Sequence, residues 1–196
     1  MGTPAKLNFR MYQGGTFNET LRWESSTIGY KEITGISKSA PLVVTVPGHS
    51  IPTGWRVKFT NIVGMTELNS ADTYNTVTTT GTGTITINAI NSLGYKAYTS
   101  GGTVEYNTPV DLTGFTARAQ LRSKVDSDVI VHAMTTENGG IIIDNVLKTI
   151  SLYISAENTA LFDFSTAVYS LELISSGLQV TPLETGTITL IKEVTR

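Results

Sequence analysis

The side chains with the most obvious capacity for chemistry are two histidines, His49 and His132, one in each of the two domains inferred below. A metal or acid–base centre needs several such groups converging, so His49, which follows Pro47-Gly48, is expected to fix a turn through its ring nitrogens. Asp126-Ser127-Asp128 offers oxygens for calcium but lacks the glycine-and-glutamate continuation of a calcium loop. It reads as a polar hairpin tip between Arg122 and Val129. Asp111, ahead of Leu112-Thr113-Gly114, reads as a turn or strand-entry residue whose carboxylate accepts from nearby amides. Catalysis there would need a partner carboxylate, which the sequence does not reveal. There is no Gly-x-Ser-x-Gly elbow and no Gly-x-x-x-x-Gly-Lys loop. Gly81-Thr82-Gly83 runs into a strand at Ile85 and not into a helix, which makes it a hairpin turn. No catalytic residue, cofactor or metal ligand is assigned, and the expectation is a protein that is not an enzyme.

Composition narrows the field further. The formal charge of −2 over 196 residues lacks the basic footprint that neutralises phosphates, so no nucleic-acid partner is expected. No run approaches the ~20 apolar residues of a membrane helix, and no membrane insertion is expected. The start, Met1 to Lys6, has no apolar signal core, and Lys6 stands where a myristoylation signal wants Ser or Thr. Cysteine is absent, so neither disulfides nor thiolate metal sites can hold the fold. Threonine supplies 32 residues, and such β-branched side chains suit pleated, half-buried surfaces.

The elements follow that bias. Apolar and polar residues alternate over 6–12, 55–60, 83–88, 115–122, 150–155 and 169–173, with Ile188 and Leu190 closing the series. Trp55 alternates in phase with Val57 and Phe59 and is expected in a core. Trp23, just before Glu24-Ser25-Ser26-Thr27, either seals the base of an insertion or sits in an interface. Glycine- and proline-rich turns separate the runs at roughly ten-residue intervals, which indicates a sandwich or barrel. One short helix is expected over Ala156 to Phe162, with Ser155 as its N-cap. Residues 31–106 are richest in Thr and Gly and poorest in charge, and Asn107-Thr108-Pro109 reads as a joint. The expected architecture is all-β, a discontinuous immunoglobulin-like β-sandwich (1–30 plus 107–196) interrupted by an inserted small β-barrel domain (31–106).

Two stretches resemble known families. Tyr12-Gln13-Gly14-Gly15-Thr16-Phe17, Asp111 to Arg122, Tyr169 to Leu173, Gly186 to Leu190 and Val194-Thr195-Arg196 are similar to a small β-domain of phage virion proteins. Ser170 departs from the Asp usual after that tyrosine. The N-terminal domains of lactococcal baseplate upper proteins are more distantly similar. The inner part resembles modules like the first catalytic cysteine half-domain of ubiquitin-activating enzymes, through Ile33 to Ile36, Pro47-Gly48-His49, Pro52 to Val57, Gly64 to Asn69 and Gly94 to Gly102. In phage proteins that resemblance implies a small β-barrel decoration without ubiquitin chemistry.

The resemblances imply a structural tail or neck protein of a bacteriophage virion, made in the host cytoplasm, that anchors fibres or joins neighbours. Its expected partners are other copies of itself and neighbouring virion proteins, docking through edge strands, loops and termini in closed symmetry. The candidate contacts are Thr3, Lys6 and Arg10 near one terminus, Val194 and Arg196 at the other, and Glu137 and Asn138 in a glycine-rich loop. A carbohydrate-binding host-recognition module is the rival reading. It would present an exposed aromatic to a host surface glycan, with Tyr95 and Tyr98 as the candidates.

Overall fold

The computed structural model describes residues 3–70 and 72–193. Val194 and Arg196 lie outside the described residues. Among the described residues the fold is all-β apart from one short helix and a single 3-10 turn. It divides into two compact units, with the boundaries at Arg22/Trp23 and Val110/Asp111 and with Val146–Lys148 counted in the inner one. The sequence joint at Asn107–Pro109 falls within the last residues of a strand that belongs to the inner unit, at a shift in its pairing register.

The outer unit contains two sheets. The larger has β1 (Ala5–Lys6) and β2 (Phe9–Tyr12) parallel on β17 (Val180–Ile191), followed by β16 (Thr166–Ile174), β12 (Thr116–Arg122) and β13 (Ile130–Thr135). The smaller runs β14 (Ile141–Asp144), β15 (Thr149–Ile154) and β3 (Phe17–Leu21). The orders β17–β16–β12–β13 and β14–β15–β3 are those of an immunoglobulin-type sandwich, so the inner unit departs between the second and third strands of that scheme. Alternation places Ala117, Ala119 and Leu121 of β12 on the same face of the sheet as Leu171 and Leu173 of β16 and Ile188 and Leu190 of β17, and all are buried. Phe9 of the larger sheet meets Phe17 of the smaller edge-on, with ring centroids 5.8 Å apart. Helix α1 (Ala156–Ala160) follows β15, and the Ser155 hydroxyl accepts from the Asn158 amide, which satisfies one of the first-turn donors.

The inner unit also has two sheets. One is ordered β4 (Glu24–Glu32), β11 (Ser100–Pro109), β7 (Arg56–Val63), β8 (Asn75–Thr76). The other is ordered β5 (Gly35–Ile36), β6 (Leu42–Thr45), β10 (Thr84–Ile87), β9 (Thr79–Gly81). They share a core around Trp55, Val57, Phe59, Leu42, Val44, Ile85, Ile87, Val104 and Tyr106. The closed small barrel expected from the sequence does not form. A barrel needs unbroken ladders, and here the chain bends out of one sheet into the other at two corners. Ile33 donates to Gly102 of β11 while the next residue, Thr34, donates to Thr45 of β6. At the second corner Val77 donates to Trp55 and Thr78 to Thr86. Each bend spends consecutive amides on different sheets, so the ladders stop there.

Candidate functional site

The residues singled out for chemistry take structural roles. His49 Nδ1 accepts from the Ile51 amide at 3.2 Å, so its proton sits on Nε2, which faces the Gly81 and Thr84 carbonyls at 3.2 and 3.1 Å. The ring thereby ties the Pro47-Gly48 turn to the β9–β10 hairpin. His132 lies on β13 with its ring edge-on to Phe162 at 5.6 Å, and burial holds its pKa below the usual imidazole value. It borders a cleft of about 460 Å³ with Leu161, Phe162 and Phe164. Asp126 and Asp128 are exposed at the tip after β12. The tip is held instead by Arg122, whose Nη1 donates to the Ser127 carbonyl while Nε and Nη2 donate to Gln120. Asp111 accepts from the Thr113 amide and hydroxyl at 3.3 and 2.9 Å, a local turn. Among the described residues, no group of three or more His, Asp or Glu is placed to hold a metal ion. No helix among them is long and apolar enough to cross a membrane.

The tryptophans differ. Trp55 is fully buried, and its indole N–H donates to the Asn107 carbonyl at 2.6 Å. Trp23 is half-buried, and its carbonyl accepts from Val110 at 3.2 Å, which closes the two ends of the inner unit side by side. Tyr95 and Tyr98 both pack against the inner core, and the Tyr98 hydroxyl donates to the Ile33 and Gly101 carbonyls as a shared bond.

The candidate assembly residues are spread over the outer unit. Thr3, Lys6, Arg10, Glu137 and Asn138 are exposed. Lys6 lines a cleft of about 430 Å³ on the outer face of the larger sheet, together with Gln120, Arg122, Ser170, Thr185 and Thr187. Its own backbone amide, and after it the Thr135 and Thr136 hydroxyls, hold the Glu137 carboxyl below its ordinary pKa. Asn138 is committed internally. Its Oδ1 accepts from the Thr135 and Gly140 amides at 2.8 and 2.9 Å, and its Nδ2 donates to the Ala133 carbonyl at 3.0 Å. Ala133 and Thr135 turn their main-chain groups away from β12. The amide thus covers part of the open edge of β13, as an incoming strand would.

Sequence reasoning missed Glu184. This β17 carboxyl is 3% exposed and bonded to the Tyr169 hydroxyl, which also reaches the Leu7 carbonyl at 3.1 Å. Burial raises the Glu184 pKa, and Glu19 across the sandwich adds to this, against the opposing hydrogen bond from Tyr169. Burial and Glu184 likewise push the Tyr169 phenol well up. Leu7 comes so close only because Gly186 has no side chain; a Cβ there would stand 1.6 Å from the Leu7 oxygen. The signal was available, since alternation back from Ile188 and Leu190 puts Gly186 and Glu184 on the inner face.

Compared with known families, residues 39–107 match the ubiquitin-activating enzyme E1 FCCH domain, about a third of the chain. The FCCH domain is a non-catalytic part of those enzymes. A comparison with curated proteins gives no match.

Proposed function

We propose that this chain is a structural component of a bacteriophage virion, a tail or neck adaptor or fibre-anchoring protein that works by protein–protein assembly. The observation that carries the reading is the splice itself. A module of the E1 FCCH type, in a chain with no cysteine, leaves an immunoglobulin-type sandwich between its second and third strands. Without cysteine the module cannot form a thioester through this chain, so its contribution is shape: a packed core that presents edges and loops. The neighbours are other virion proteins and further copies of the chain, and the particle is its final location. The rival reading, a host-glycan module, draws less support, because Tyr95 and Tyr98 are packed against the core and the Tyr98 hydroxyl is already bonded.

Cryo-electron microscopy of purified particles tests the proposal. The expected result is density for this chain in a ring or cluster at the tail or neck, contacting other virion proteins. Particles that lack the chain would overturn it.

A further inference from the structure

We infer that β4 is a self-association edge, through which two copies of the chain pair antiparallel about Tyr30. β4 is the outermost strand of its sheet and is nine residues long. Its pairing phase is fixed by the Ile33 amide, which donates to the Gly102 carbonyl at 3.0 Å in the register that sets Thr103 opposite Glu32. In an antiparallel ladder, residue pairs that exchange bonds alternate with pairs that do not. Ile33, Lys31 and Gly29 therefore bond towards β11, while Glu32, Tyr30 and Ile28 turn N–H and C=O outward. Among the described residues, no hydrogen bond meets the outward groups of these three. The same positions carry exposed side chains, Ile28 at 47% and Tyr30 at 60%.

Edges of this kind are normally blunted by proline, a bulge or a side-chain cap. The chain does this on β13, where Asn138 occupies Ala133 and Thr135. On β4 the register shift lies before Ile28, and from Ile28 to Glu32 the only such device is the charge of Lys31 and Glu32. What satisfies the row is another strand with open groups at every second residue, and β4 of a second copy is such a strand. Charge selects the register. Centring the pair on Lys31 or Glu32 sets like charges face to face, which is unfavourable directly across a ladder. Centring on Ile28 sets Glu32 against Glu24, and centring on Gly29 carries Glu32 to Ser26, inside the register shift that precedes Ile28. Centring on Tyr30 matches all three positions: Tyr30 faces Tyr30, Ile28 faces Glu32, and Gly29 faces Lys31, whose stem meets no opposing side chain. The two tyrosines then form an aromatic cross-strand pair. The contact is isologous, so it closes on itself and the sheet does not grow further.

The inference stands on β4 alone and not on the virion reading. The test is sedimentation of the full chain over a concentration series, with Tyr30→Lys and Tyr30→Glu made separately and then mixed. The wild type is expected to dimerise. Each variant alone should weaken the dimer about tenfold or more, through a like-charge pair on the two-fold axis. An equimolar mixture should regain it, because residue 30 faces its own copy. Unchanged urea midpoints would show that both variants fold. A wild type that stays monomeric, single variants that stay dimeric, or a mixture that fails to recover would each overturn the inference. A monomer in solution leaves the particle localisation above to be decided by its own result.

Discussion

Replacing Glu184 by glutamine should make the protein's stability less dependent on pH and raise it in neutral and alkaline solution. The Tyr169 hydroxyl has one hydrogen and two oxygen neighbours, the Leu7 carbonyl and the Glu184 carboxyl. That one hydrogen cannot serve both oxygens fully, and a neutral Glu184 carries the second proton that the two bonds call for. Burial raises the Glu184 pKa, in keeping with that count. Unfolded, the same group titrates in the ordinary glutamate range. The folded state therefore holds a proton that the unfolded state has lost, and its contribution is complete below the unfolded pKa. It is lost as pH rises through the folded value, at about 1.4 kcal/mol for each unit by which the folded pKa is raised. Glutamine keeps a donor to Tyr169 at every pH, so Glu184→Gln should remove this slope. Urea midpoints from about pH 4 to about pH 9 would read it directly. The two proteins should agree within about 0.5 kcal/mol at the acid end, and the variant should be more stable at the alkaline end. Groups such as His132, whose pKa is lowered by burial, are present in both and cancel in the difference. Parallel curves, or a variant less stable throughout, would refute the proton count.

Two further substitutions probe neighbouring contacts. Gly186→Ala would place a Cβ 1.6 Å from the Leu7 carbonyl, so β1 must move off β17. The expected loss is about 1–3 kcal/mol, with faster amide exchange around Ala5–Leu7, and protection equal to wild type would contradict it. Trp55→Phe removes the indole donor from the Asn107 carbonyl and leaves unfilled volume in the inner core. Thermal or urea unfolding should show a cost of about 2–4 kcal/mol, and a change under ~1 kcal/mol would mean that the bond contributes little.

The parts of this fold that were legible in sequence are those in which one face is buried and the period is two. The alternation at 115–122 became β12, and that at 169–173 lies in β16. The in-phase Trp55, Val57 and Phe59 are buried together. The Ser155 cap and the His49 Nδ1 bond were legible because each reaches only two or three residues away, whereas the His49 Nε2 contacts with Gly81 and Thr84 were not. Register was not legible, and several features depend on it. Asn138 reads in sequence as a candidate assembly contact in a glycine-rich loop, and its internal partners follow only from which β13 amides turn outward. The open row on β4 is visible only once the Ile33–Gly102 bond sets the phase. The corners of the inner unit were hidden too, since a bend that parts two amides between sheets leaves no mark on hydrophobic period. Glu184 escaped because Leu183 is extra in the pairing of β17 with β16, so alternation read forward from Val180 falls out of step.

The meeting of Trp23 with Val110 also determines how the inner unit bears a load. Its first and last strands are antiparallel neighbours, and they leave it at the same end. Tension along the chain therefore pulls β4 and β11 apart from that end and strains their cross-strand bonds one after another, not all together in shear. The first to part is the Val110–Trp23 bond, and next comes the polar clasp of Ser25 with Thr108 and Asn107. Behind that clasp the buried Trp55 indole grips the Asn107 carbonyl, a backstop at the point where unzipping would reach the core. Pulled in this way, the unit is expected to open at a lower force than a strand pair loaded in shear, which single-molecule pulling on its two ends would read.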